Sequence, residues 1–286
     1  MGAAHDPAAG RSPFLRTPAS HSTAVCVEVP HAGLAIPDDP AVALEVTRQE
    51  LLRDADLYVE KLYAQAPTQG AELLSAFYSR YVVDLNRSAD DVDRSTVADH
   101  PSPRLGQTRG VIWRTTTRGR PCLGRALSYR DFSQRIQSYY TPYHLELRHL
   151  LQETQARHGF AVLVAAHSMP SRGRPSEAAR ADVVPGSLGG TSCAPEVLEV
   201  VDRVFGDVGL SIRHDVPYQG GHTTAHYGRP ALGWHVVQIE LNRALYMDED
   251  SSKPRPGDFE ALQAILTRFV GELTALRLPR ADGAEE

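Results

Sequence analysis

The strongest constraint on how this chain can fold is a set of apolar runs that do not alternate. "FAVLVAA" (Phe160–Ala166) has no polar residue, and "AVCVEV" (Ala24–Val29) has one. A strand with one wet face alternates apolar and polar positions, so a run apolar throughout belongs to a sheet covered on both sides. Further strand-like runs are "AELLSAF" (Ala71–Phe77), "RYVVDL" (Arg80–Leu85), "ADVVPG" (Ala181–Gly186), "LSIRHD" (Leu210–Asp215) and "HVVQIEL" (His235–Leu241). Helix-like segments lie between them. Residues 47–66 carry Leu51, Leu52, Leu57, Val59, Leu62 and Tyr63 at near-helical spacing. Residues 128–159 open on a Ser128-to-Asp131 capping pattern, meet Pro142, which should kink or split a helix, and close on Gly159. Residues 194–209 and 256–276 complete the set. Strands alternating with helices predict a three-layer α/β/α fold around a mixed, mostly parallel sheet. The Arg- and Thr-rich stretch 90–121 reads as an excursion of loops, which in a compact fold tends to carry function.

With 286 residues, 42% of them hydrophobic, one large domain is feasible. The expected layout is a frayed N-terminus over 1–20 and a single domain over 21–280. The net charge of −5 is spread without a basic face, which argues against nucleic acid. Only Lys61 and Lys253 are lysines; the remaining cations are arginines, which grip carboxylates bidentately. Three widely spaced cysteines form no disulfide or zinc-knuckle pattern, no apolar signal core opens the chain, and no run approaches a membrane span. The expectation is a soluble cytoplasmic protein, its oligomeric state open.

Sites in open α/β sheets gather at the carboxyl ends of strands. Reading those ends in order gives His31 after "AVCVEV", Asn86 and Arg87 after "RYVVDL", His167 and Ser168 after "FAVLVAA", and Glu240, Asn242 and Arg243 within "VVQIELNR". Each has a structural alternative: Arg87 could pair with Asp90 or Asp91, and Glu240 with Arg243. The H-E-x-x-H, G-x-S-x-G, P-loop and G-x-G-x-x-G motifs are absent, and neither His31 nor His167 is followed by Glu three residues on. Two distant histidines with a carboxylate therefore suggest a hydrolytic zinc site assembled from separate strand ends, with one position open for water.

The stretches "VPHAGLAIP", "DADLYVEKLYAQAP", "RYVVDLNRSADDVD", "GVIWRTT", "YYTPYHLELRHLL", "HGFAVLVAAHSMPS", "VPYQGGHTTAHYGRP" and "VVQIELNRALYMDE" occur in this order. In that series the chain resembles the N-formylglutamate amidohydrolase family, which is similar in fold to zinc carboxypeptidases. The resemblance implies one divalent metal, zinc first, held by His31, Asp56 and His167, with Asp54 the alternative carboxylate. It implies Glu240 as base, Asn86 and Arg87 as the grip on a substrate carboxylate, and Arg114 as a cation near the scissile carbonyl. The reaction implied is hydrolysis of an N-formyl or N-acyl amino acid, with N-formyl-L-glutamate as best substrate. A carboxypeptidase-like or other N-acyl amidase specificity, and a non-catalytic binding protein, are the rivals. "GGHTTAHYG" departs from the Arg-rich segment expected there, so His222 and His226 become candidate side-chain contacts, with Arg243 available to supply a charge.

Overall fold

The computed structural model describes residues 12–104, 106–173 and 178–279. At its centre is a six-stranded sheet in the order β1-β3-β2-β4-β6-β5. The four inner strands, β2 (Val25–Val29), β3 (Glu72–Ala76), β4 (Ala161–Met169) and β6 (Trp234–Asn242), are parallel to their inner neighbours. The outer two, β1 (Phe14–Thr17) and β5 (Val183–Gly186), run antiparallel to β3 and β6. The mixed, mostly parallel sheet follows the expectation from the non-alternating runs.

Both faces are covered. Val25, Val27, Val162, Val164, Val237 and Ile239 pack into one cluster with α2 (Val59–Leu62), α5 (Pro195–Gly206) and α7 (Asp258–Thr274). Cys26, Leu163 and Val236 point the other way, toward α3 (Tyr129–Arg135) and α4 (Thr141–His158). On that second face the strands change character toward their carboxyl ends. Cys26 gives way to Glu28, Leu163 to Ala165 and His167, and Val236 to Gln238 and Glu240, because side chains two apart share a face. Half a face is core and half is a polar floor.

The chain leaves β2 for β3 on one side, then crosses to β4 on the other side of β2. The connections run over opposite faces, so a crevice opens between the carboxyl ends of β2 and β4, where ligands bind in open α/β sheets. His31 follows the first of these strands, and His167 lies near the end of the second.

Several local expectations need correction. Residues 47–66 are not one helix. A capping box between Thr47 and Glu50 starts α1 (Arg48–Asp54), which stops before Asp56 because the Asp56 N–H donates to the His31 carbonyl at 3.0 Å. Tyr58, in the left-handed region at φ 67°, turns the chain into α2. "RYVVDL" is buried but forms no ladder; it is a series of turns in which Val82 N–H bonds Ser79 O and Asp84 N–H bonds Val111 O. "LSIRHD" contributes one bridge, Ile212 to Val183. Residues 128–159 do not form one uninterrupted α-helix: a π turn over Ile136–Tyr140 separates α3 from α4, and Pro142 sits in the first turn of α4, where its missing donor costs little. Gly159 closes α4 with φ 87°. Of the N-terminus expected to fray, residues 1–11 lie outside the described residues, but Phe14–Thr17 pair with β3, and Arg16 bonds Glu72, Glu146 and Glu153. No helix among the described residues is long and apolar enough to cross a membrane.

Candidate active site

His31, Asp56 and His167 meet in the crevice, each buried, with one ligand atom apiece inside a 4.8 Å span. Asp56 Oδ2 lies 2.9 Å from His167 Nδ1 and 3.6 Å from His31 Nδ1. Three protein donors on a tetrahedral zinc stand about 3.3 Å apart for metal–ligand bonds near 2.05 Å. The donor set is suited to a divalent ion, and His31 Nδ1 supplies the independent sign: it is buried without a hydrogen-bond partner. Asp54, the alternative carboxylate, points away, toward Tyr81 Oη and the Thr117 N–H.

The other nitrogen of His31 is held by a residue the sequence reading passed over. Asp84 Oδ1 sits 2.8 Å from His31 Nε2 and accepts the Asn86 N–H at 3.0 Å. Its Oδ2 accepts from Arg80 Nη2 at 2.7 Å and Trp113 Nε1 at 2.9 Å. Burial alone would raise the Asp84 pKa, but the charge of Arg80 and the contact with His31 hold it well below the usual carboxylate range. A carboxylate behind a ligating imidazole orients the ring and raises its basicity. The signal was a lone acid inside a buried apolar run, two residues before Asn86.

Asp56 is backed in the same way. Arg243 Nη2 lies 3.2 Å from Asp56 Oδ1, and its other hydrogen bonds go to the Arg53 and Ala55 carbonyls and Ser168 Oγ. Burial opposes charge on Asp56, yet His167 and His31 outweigh it and keep it ionised. His167 is the converse: burial disfavours its charge, but Asp56 and Glu240 raise its pKa. Arg243 is thus consumed beneath Asp56 rather than open to a substrate, and it does not pair with Glu240. Arg243 opens a 3-10 turn just past β6, and that turn carries its guanidinium to Ser168 and Asp56.

Glu240 stands beside His167 in the β4–β6 register. Burial raises its pKa and Asp56 adds to the effect, while His167 and Arg80 offset part of it. Asn86 lies in the same pocket, but its carboxamide is engaged by the protein: Nδ2 is 3.2 Å from His167 Nε2 and donates to Gln238 Oε1 at 3.1 Å, and Oδ1 accepts the Thr223 N–H at 3.0 Å. Arg87 differs. It is half-buried, and among the described residues no hydrogen bond or ion pair engages its guanidinium. Asp91, one partner the sequence suggested, is instead near Arg104 at 3.8 Å and Gln107 at 3.2 Å. Arg114 Nη1 donates to the Leu123 carbonyl, just past the 90–121 loops.

α6 (His222–Tyr227) roofs this end of the sheet. The His222 ring stacks on His226 at 5.0 Å and lies 5.7 Å from His144 of α4, a third histidine the sequence reading did not select. Burial, with His226 beside it, lowers the His222 pKa to about 4; burial likewise lowers His144 to about 3. Burial and Arg148 lower His226, whose Nε2 lies 3.2 Å from Arg148 Nη2. These imidazoles are neutral at pH 7.

Fold and site together define a layered α/β protein whose crevice holds a buried His–Asp–His group competent to bind a metal. The N-formylglutamate amidohydrolase family pattern matches residues 23–247. The chain is 33% identical over 255 residues to an N-formylglutamate deformylase of Pseudomonas aeruginosa, covering 87% of this chain and 92% of that protein. It is 34% identical to one of Pseudomonas putida, covering 87% and 91%. The crystal structure of an N-formylglutamate amidohydrolase from Ralstonia eutropha JMP134 superposes with a TM-score of 0.86 at 29% identity, covering 92% of this chain and 98% of that one. The chain belongs to the N-formylglutamate amidohydrolase family and is an amidohydrolase.

Proposed function

We propose that this protein hydrolyses the formamide bond of N-formyl-L-glutamate to glutamate and formate, using one divalent metal, zinc first, held by His31, Asp56 and His167. The observation that carries the metal is the partnerless, buried His31 Nδ1 facing Asp56, with its other nitrogen fixed by Asp84. A metal bound there would polarise the carbonyl and lower the pKa of a bound water to about 7. Glu240 takes the proton of the attacking water and delivers it to the leaving amine. Arg87 clamps the α-carboxylate in bidentate geometry. Because a formyl group is tiny, orientation comes from contacts to the amino-acid part. A protein that acts on a small molecule in the cytoplasm is the reading we adopt.

One observation favours a second substrate. The histidines of α6 are neutral at pH 7, so they offer hydrogen bonds rather than a fixed charge to a side-chain carboxylate. An N-formyl amino acid with a neutral side chain is the alternative. Metal analysis, then kcat/KM for N-formyl-glutamate, -glutamine, -aspartate and -histidine, separates the two. A tightly bound stoichiometric divalent ion and a preference for formylglutamate are expected. A metal-free active enzyme would overturn the mechanism; equal or better rates on formylglutamine would select the second substrate. Glu240→Gln should retain metal and lose about 10²–10⁴-fold in turnover.

A further inference from the structure

Gln238 stands on β6 two residues before Glu240, on the same face, with 3% of its surface exposed. Its Nε2 donates to Glu240 Oε1 at 2.9 Å. Its Oε1 accepts twice, from Asn86 Nδ2 at 3.1 Å and from the Gly221 N–H at 2.9 Å. Asn86 in turn accepts the Thr223 N–H and lies 3.2 Å from His167 Nε2. The orientation of both amides follows from chemistry. Backbone N–H groups can only donate, so Gly221 and Thr223 fix where the two amide oxygens lie, and the amide nitrogens must then face Glu240 and the Gln238 oxygen. The approach is close: a Cβ at Gly221 would stand 2.3 Å from the Asn86 amide.

We infer that Gln238 is a positioning residue for Glu240, and that the Gln238–Asn86 amide pair ties the aim of the base to the first turn of α6. Glu240 Oε1 is held by the Gln238 donor, and Oε2 is the oxygen left without a protein donor among the described residues. α6 contacts the substrate side of the crevice, and its first turn hangs on the same two amides. A movement of α6 therefore reaches Glu240 through two hydrogen bonds. This inference rests on Glu240 acting as the base.

The test compares Gln238→Met, Gln238→Glu, Glu240→Gln and the two double variants, each loaded with the native metal. Met fills the volume without hydrogen bonds. Glu retains the acceptor for Asn86 and Gly221 but replaces the donor to Glu240 with a second carboxylate, so it breaks the same link with added repulsion and tests it if the Met variant fails to fold. The single Gln238 variants should lose about 10- to 100-fold in kcat, the scale of a misplaced reacting group, with KM changed less than about threefold and metal content unchanged. In the Glu240→Gln background, either Gln238 change should cost less than about twofold more, because its effect passes through a base already removed. Equal losses in both backgrounds, or a loss confined to KM, would overturn the positioning role. Near-normal turnover of Glu240→Gln by itself would instead defeat the assignment of the base.

Discussion

Replacing Asp84 with Asn tests whether the carboxylate behind His31 is what makes that imidazole a ligand. Asp84 Oδ1 serves His31 Nε2 and the Asn86 N–H, while Oδ2 serves Arg80 and Trp113. Asparagine has one oxygen for these two sets. Either His31 and Asn86 N–H, or Arg80 and Trp113, will face an NH2 group. Each stranded buried donor costs about 1–3 kcal/mol, and a buried cation deprived of its partner about 3–5 kcal/mol. We expect the metal-free protein to lose about 3–5 kcal/mol in urea unfolding at pH 7. Metal affinity, measured by chelator competition on the folded variant, should fall by about 10- to 100-fold. The pH matters: the folded-state pKa of Asp84 lies below its unfolded value, so its contribution is complete above the unfolded pKa and fades as pH falls. A loss under about 1 kcal/mol together with unchanged metal affinity would refute the reasoning, since no packing of a neutral amide can satisfy both sets of donors.

The amide junction over the site makes Gly221→Ala a sharp steric probe. The new Cβ would meet the Asn86 amide at 2.3 Å, so activity should drop at least tenfold, and a crystal structure should show α6 displaced; unaltered kinetics would contradict the close approach. Acid should loosen the α4–α6 contact: His144, at about 3 in the folded state, has a depressed pKa, so the unfolded chain binds more protons between pH 6.5 and 3, and stability falls as pH drops through that window. His144→Gln should remove roughly 1–2 kcal/mol of the difference between melts at pH 7.5 and pH 5, and an unchanged difference would exclude His144 as its source. Arg87→Lys keeps the charge but loses the fork; KM for formylglutamate should rise about tenfold or more while an α-amide analogue is little affected, and equal losses on both would point to a structural role.

The sheet and the ligand candidates were legible because both rest on local rules. Non-alternating apolar runs require cover on both faces, so β2, β4 and β6 follow from composition along the chain, and an imidazole at the exit of such a strand stands out. The capping signals at Ser128 and Gly159 mark their helix for the same reason. What escaped depends on contacts between residues far apart in the chain. "RYVVDL" has the composition of a strand, yet Asp84 needs donors from Arg80, Trp113 and His31 on several sides, and turns supply what a ladder would not. Asp54 and Asp56 look alike in sequence; the His31 carbonyl, capturing the Asp56 N–H, ends the helix between them and turns only one toward the metal. Arg243 and Asn86 look available from their types, but the guanidinium is spent on Asp56 and carbonyls, and the amide on Gln238 and Thr223. Apolar periodicity and strand-end chemistry belong to the chain by itself. Whether a polar side chain is free or already satisfied is decided by tertiary structure, because in a buried site its partners come from wherever the fold brings them.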